Sequence, residues 1–521
     1  MPTTNSALQY PTTLPGWLKA VTNMSLAIIV TRGLVILNGY GNAYILNQSN
    51  QGKDTNITAA AGALISIYNT MASSSLQAIL NANSIKSIPK YFQRDYDEVR
   101  ENLLRSAILG TLILTPVGEF LFLYSEELFQ QVLHAPSIPA GIAAKFFQGY
   151  MAGLPFAMLV NAMQQSMVSV QKPWFMVPTT LTQALISNTI GFSWALDDTI
   201  SAEESALRLG YANTIAVIAA SIMGAVVLKL MPGNPVNFFN VTRKELLKGI
   251  CELLKIGLPI FVSVLTETAS MVGLADFISS SSENDPHARE RNLAILQASS
   301  IYLGFTSVSL LGISQSCMAL TRGMMATQNH VDQKLHQTYL IKRASNIAGL
   351  CFVGLIAGTV VIAYKPATRL LLSKVDVDED LLKNTLYVYL LNNLLGQLID
   401  SVRLVGNGSL LGHGDLRMPT AQNIFSMLLV GLSLGYLMGP TAAGIGLLGP
   451  VIARQIGITV GAVLGELRFC QIKNRIAAGL TATGNRIEQS SYNPRMFKIN
   501  SQTALLAVTS DAEKTAEISP P

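Results

Sequence analysis

An all-α integral membrane protein is the fold class this sequence predicts: about twelve transmembrane helices in two pseudo-symmetric six-helix bundles around a central cavity. Three observations predict it. Half of the 521 residues are hydrophobic and only 13% are Asp, Glu, Lys or Arg, against about 25% in soluble proteins; mean hydropathy is +0.38. The apolar residues arrive in runs of about 20, the length of α-helix that spans a hydrocarbon core. Two pairs of landmarks, Gly110 with Gly349 and Pro178 with Pro419, recur at an offset of about 240 residues, as a duplicated six-span unit requires. A soluble enzyme and a disordered chain are excluded.

Taken in order, the spans fall near 25–46, 58–82, 104–124, 140–165, 174–194, 209–230, 250–275, 293–318, 345–364, 385–411, 420–439 and 445–466. That divides the chain into an N-terminal segment (1–24), a first bundle (25–231), a connector (232–249), a second bundle (250–466) and a flexible tail (467–521). Alternate connectors and both tails hold about 23 of the 36 Lys and Arg residues, which places the N- and C-termini in the cytoplasm by the positive-inside rule. The connectors IPKYFQRDYDEVRENLLR, NPVNFFNVTRKELLKG and TRGMMATQNHVDQKLHQTYLIKR are amphipathic and are expected to lie partly along the interface. The N-terminus lacks a basic start and a cleavage site ahead of the first apolar run, so the first span is expected to serve as the insertion signal.

The net charge of +5 suits a membrane protein and implies no nucleic-acid partner. Cys251, Cys317, Cys351 and Cys470 have neither metal-like nor paired spacing and read as small apolar residues. Five histidines, mostly in connectors, suggest no metal centre. No phosphate cradle, nucleophile elbow or pair of acids at catalytic spacing is present, so no enzyme is expected.

Charges deep in the bilayer are costly, about 2.5–3.5 kcal/mol on insertion scales, and so mark candidate sites. Glu267 lies twelve residues from Lys255 and Asp400 thirteen from His413, on the order of 18–20 Å into the bilayer. Each is read as a carboxylate that takes H⁺ or Na⁺ in competition with a cationic solute, or else as a carboxyl kept neutral or neutralised, for Asp400 by Arg403 one turn on. Pro259, eight residues before Glu267, permits a helix bend. Gln297, Gln397 and Asn42 are candidates to line the cavity, although Asn could coordinate an ion but never carry a proton. Arg32, Glu119, Lys145, Glu252 and Arg454 lie near predicted span ends, where snorkelling to the interface is expected.

Those residues carry a resemblance. QLIDSVRLVGNGSLLGHGDLRMP, with Gln397, Asp400, Gly408, Gly412, Gly414 and Asp415, resembles the tenth-helix signature of the MATE (multidrug and toxic compound extrusion) transporters of the MOP flippase superfamily. IGLPIFVSVLTE is similar to that family's seventh helix, LQASSIYLGFTSVSLLGISQS to its eighth with Gln297 at the family's glutamine, and GLPFAMLVNAMQQSMVSVQKP to its fourth-to-fifth junction. Three positions depart: Arg403 replaces a Gln, Leu411 replaces an Arg, and Asn42 is the nearest match to a first-helix Asp. The resemblance implies a monomeric secondary antiporter in a cell membrane, a bacterial inner membrane on the simplest reading. It would export amphipathic, cationic organic compounds against H⁺ or Na⁺ and need no cofactor beyond the coupling ion. A flippase for lipids or lipid-linked oligosaccharides is the alternative that Arg32, Arg403 and Arg454 keep open.

Overall fold

The computed structural model describes residues 11–48, most of 61–69, 75–131, 135–196, 200–231, 243–280, 286–327, 331–371, 379–390, 395–439 and 448–478. The regular elements among them are helices. They are α1 (Leu14–Gln48), α2 (Ser75–Phe92), α3 (Tyr96–Leu123), α4 (Ser137–Tyr150 and Leu154–Ser169, joined at Met151–Gly153), α5 (Met176–Ala195) and α6 (Ala202–Leu230). After them come α7 (Arg243–Ser280), α8 (Pro286–Ala326), α9 (Val331–Leu371), α10 (Glu379–Tyr389 and Gly396–Gly412), α11 (Arg417–Met438) and α12 (Leu448–Ala477). Every predicted span falls on helix in its described part. Among the described residues, seven helices (α1, α3, α6, α7, α9, α11 and α12) are long and apolar enough to cross a bilayer.

Boundaries differ from the expectation for a physical reason. Hydropathy marks the apolar stretch, whereas the helix continues as far as its backbone hydrogen bonds can be closed. Hence α1 starts at Leu14 and α12 runs to Ala477. Two of the three connectors expected along the interface are mostly helix ends: only Gln93–Asp95 separate α2 from α3, turned by Arg94 at φ 62°, and α9 already begins at Val331. Asp95 caps α3 by accepting from the Glu98 backbone N–H. Of the third connector, residues 232–242 lie outside the described residues, as do 479–521 of the expected tail.

Within the first half, α6 packs on α4 and α5, and α2 on α4; within the second, α8 packs on α9 and α10, and α12 on α10 and α11. The halves join where α1 lies along α8 and α9 and where α2 meets α7. Small residues permit the closest approaches: a Cβ on Gly149 would sit 2.4 Å from the Leu207 carbonyl, and one on Gly210 2.3 Å from that of Phe146. The repeat landmarks also take matching places. Gly110 of α3 faces Met158 of α4, and Gly349 of α9 faces Ser401 of α10.

Candidate functional site

Four charged side chains meet inside the second half. Arg403, on α10, is fully buried. Its Nε donates to Asp400 Oδ1 at 2.5 Å, one Nη to Glu267 Oε1 at 2.8 Å and the other to Asn423 Oδ1 at 2.9 Å. Asn423 of α11 in turn donates to Ser263 Oγ of α7 at 2.8 Å. The i,i+3 spacing of Asp400 and Arg403 puts both on one face of α10, and Glu267 arrives across from α7. The guanidinium fork satisfies three acceptors at once, a geometry only Arg provides.

The two carboxylates are not equivalent. The Asp400 side chain is 3% exposed, that of Glu267 24%. Asp400 is thus closed within the second half, and only Glu267 retains surface for a ligand to reach. Arg454 of α12 is buried as well and lines a small hollow with Ser270, Met427 and Gly431. Two acids and two guanidiniums make the cluster neutral overall. Snorkelling is therefore the wrong expectation for Arg454: it is buried within electrostatic reach of both acids instead of extending to the interface.

The other predicted residues lie elsewhere. Pro259 sits within α7, and its carbonyl accepts from Thr420 Oγ1 of α11 at 2.7 Å. Gln397 is fully buried one turn before Asp400, with neither side-chain nitrogen nor oxygen hydrogen-bonded among the described residues. Gln297 is on α8, its side chain outside the described residues. Asn42 belongs to a separate, uncharged cluster in the first half. There Asn213 Oδ1 accepts from Asn38 (3.1 Å), Asn42 (3.3 Å) and Ser187 (3.0 Å), while Asn188 donates to Asn38 (3.3 Å). The sequence reading missed Asn188, Asn213 and Asn423. An amide costs less than a charge inside an apolar run, so a scan for deep charges passes over it.

Two halves, each with its own buried polar cluster among the described residues, define a polytopic helical membrane fold. Comparison with known proteins shows what this fold resembles. No protein-family model matches the chain. A curated relative described as a probable multidrug resistance protein NorM, from Halalkalibacterium halodurans, is 24% identical over 285 residues, 53% of this chain and 57% of that protein. The chain thus matches little more than half of that relative's length. Among solved structures, an outward-facing multidrug resistance MATE family transporter of the MOP superfamily is 15% identical with a TM-score of 0.71, covering 89% of this chain and 97% of that one. An inward-facing structure of such a transporter is also 15% identical, with a TM-score of 0.64 over 88% and 99%. The chain has the fold of the MATE transporters, as the tenth-helix pattern implied.

Proposed function

We propose that this chain is a secondary antiporter that exports amphipathic organic solutes in exchange for H⁺ or Na⁺, working as a monomer in a bacterial inner membrane with both termini cytoplasmic. The multidrug-resistance relative and the MATE-type fold support the transport class, and the basic connectors support the orientation. The curated relative and the two transporter structures above are described as multidrug resistance proteins, which weighs against the flippase alternative.

One observation carries the coupling scheme: Glu267 and Asp400 share Arg403, yet only Glu267 is open. Asp400 keeps its guanidinium partner in every state, because breaking a pair this buried would strand a charge. Glu267 is the exchangeable member. A proton, a sodium ion or a cationic group on the solute competes for its free oxygen and for the place Arg403 holds. Competition at one carboxylate suffices to couple two fluxes, since each ligand lowers the other's affinity by the same factor. A cation arriving from outside displaces the solute and favours return of the empty carrier to the inside.

The test is dye efflux from proteoliposomes under separate pH and sodium gradients. Glu267→Gln keeps the shape and hydrogen bonding but removes the exchangeable charge. It should reduce gradient-driven efflux at least tenfold while leaving thermal stability within a few degrees of wild type. A fully active Glu267→Gln protein would contradict the scheme.

A further inference from the structure

Arg32 is expected from sequence to snorkel, and the structure puts it elsewhere. It lies near the middle of the 35-residue helix α1. Two close approaches fix its depth. A Cβ on Gly312 of α8 would meet Ile29 and the Ser25 carbonyl of α1, and one on Gly304 would meet Ile36. Arg32 therefore stands level with the turn of α8 around Val308. Along the other side of α8, Ser314 donates to the Leu404 carbonyl of α10 at 2.7 Å, so Asp400 and Arg403 stand level with nearly the same turn. Arg32 is at the depth of the four-charge cluster, with α8 between them.

Its direction around α1 follows from about 100° per residue. Ser25, Ile29 and Ile36 face α8, and Tyr40 reaches the Ala367 carbonyl of α9. Asn38 faces the opposite way, into its own half. Two flanks of α1 remain. One shows the partly or fully exposed apolar residues Leu26, Val30 and Leu37, suited to lipid; between the other and the α8-facing side stands Arg32, about 20° from Ser25 at that spacing. The halves meet along the α8-facing side of α1, so Arg32 stands at their junction, where a guanidinium within the membrane calls for an anionic or polar partner.

Arg32 also has no partner among the described residues. Its Nε is enclosed without a hydrogen bond, while the residue as a whole is only partly buried. The acids Glu267 and Asp400 are both engaged by Arg403, and together with Arg454 they leave no negative charge to spare. We infer that Arg32 is an anion-recognition point in the transport path, and that the transported solute is an amphiphile bearing a carboxylate or phosphate group. This rests on the transport reading above and narrows its substrate: a purely cationic solute would leave Arg32 unsatisfied, whereas a planar anion takes two of its N–H groups at once.

The experiment compares wild type, Arg32→Gln and Arg32→Lys in two formats, equilibrium binding to purified protein and efflux from proteoliposomes. The probes are carboxyfluorescein, fluorescently tagged phosphatidylglycerol and the cation ethidium. Arg32→Gln should weaken binding of an anionic probe at least tenfold relative to ethidium, and Arg32→Lys should recover most of that loss. Binding of carboxyfluorescein marks a soluble solute, and binding confined to phosphatidylglycerol marks a lipid headgroup; either, when lost in Arg32→Gln, upholds the site. Equal anion binding by wild type and Arg32→Gln would overturn it. So would parallel loss of all three probes with a lowered Tm in both variants, which would mark Arg32 as structural. Arg32-dependent binding without any efflux would instead sink the antiport reading and leave the anion site standing.

Discussion

At the scale of single residues, the second half is organised by one guanidinium. Arg403 neutralises Asp400 and Glu267 and fixes Asn423, so its removal strands a nearly unexposed carboxylate. Breaking a buried pair from one side costs about 3–5 kcal/mol. Arg403→Met should accordingly lower the detergent-solubilised Tm severely, and adding Asp400→Asn should restore part of it, because the stranded charge is then gone. A second residue gives a pH signature. His413, just beyond α10, is held down to about 4 by burial, and its Nδ1–H donates to the Ser409 carbonyl at 2.8 Å. The unfolded chain takes up that proton near 6.5, the folded chain only near 4, so stability falls as pH drops between those values and levels off below. A Tm profile from pH 7 to pH 4 should show this decline in wild type and a shallower one in His413→Gln. Both positions illustrate what sequence makes legible. The pairing of Asp400 with Arg403 follows from i,i+3 spacing alone, whereas the bridge to Glu267 joins residues 136 apart and needs the packing of α7 on α11 and of α10 on α12 to be visible.

At the scale of helices, approach distance is set by glycine. The α4–α6 crossing places Gly149 and Gly210 against opposing backbone, leaving no flexible side chain to yield. Overpacking costs about 1–3 kcal/mol, so Gly210→Ala should lower Tm by several degrees and Gly149→Ala likewise. Gly354 in α9 meets nothing within 4 Å, and Gly354→Ala should be neutral or stabilising by about 0.5–1 kcal/mol through helix propensity. Equal effects at the three sites would mean that propensity, not approach distance, governs them. The number and order of helices were legible because each needs its own apolar run. Where those helices end was not, since α1 and α12 each extend by about three turns of more polar sequence that tertiary contacts hold in place. The glycines were legible as a repeat signal at Gly110 and Gly349, but the partner each one admits depends on how neighbouring helices cross.

At the scale of the whole molecule, the basic end, cytoplasmic in the proposed orientation, is where the halves are locked together. Lys86 of α2 holds Glu252 of α7 at 2.7 Å and Glu98 of α3 at 3.5 Å, and Arg105 binds Glu98 and Glu101 while lying directly over Gly249 of α7. Across the same end, the buried Trp17 of α1 donates its Nε1–H to Gln337 of α9 at 2.6 Å. The Lys86–Glu252 pair, the seat of Arg105 on Gly249 and the Trp17–Gln337 hydrogen bond cross from one half to the other, so opening the cleft on this side must break them. An alternating carrier needs two states within a few kcal/mol of each other, and partly exposed ion pairs, worth about 0.2–1 kcal/mol each, are of the size to set that balance without freezing it. Reversing one charge should therefore tilt the population without unfolding the protein. Spin labels placed through Asp97→Cys on α3 and Lys248→Cys on α7, in a background lacking the four natural cysteines, report the separation across this end. Glu252→Lys sets two like charges against each other and should shift the distance distribution toward a longer, inward-open component by roughly fivefold in population, the equivalent of about 1 kcal/mol. Combining it with Lys86→Glu re-forms the pair with its polarity exchanged and should return most of the short component. A distribution that Glu252→Lys leaves unchanged would mean the ionic contacts merely decorate an apolar seal, and the lock would then rest on Trp17 and the buried residues around it.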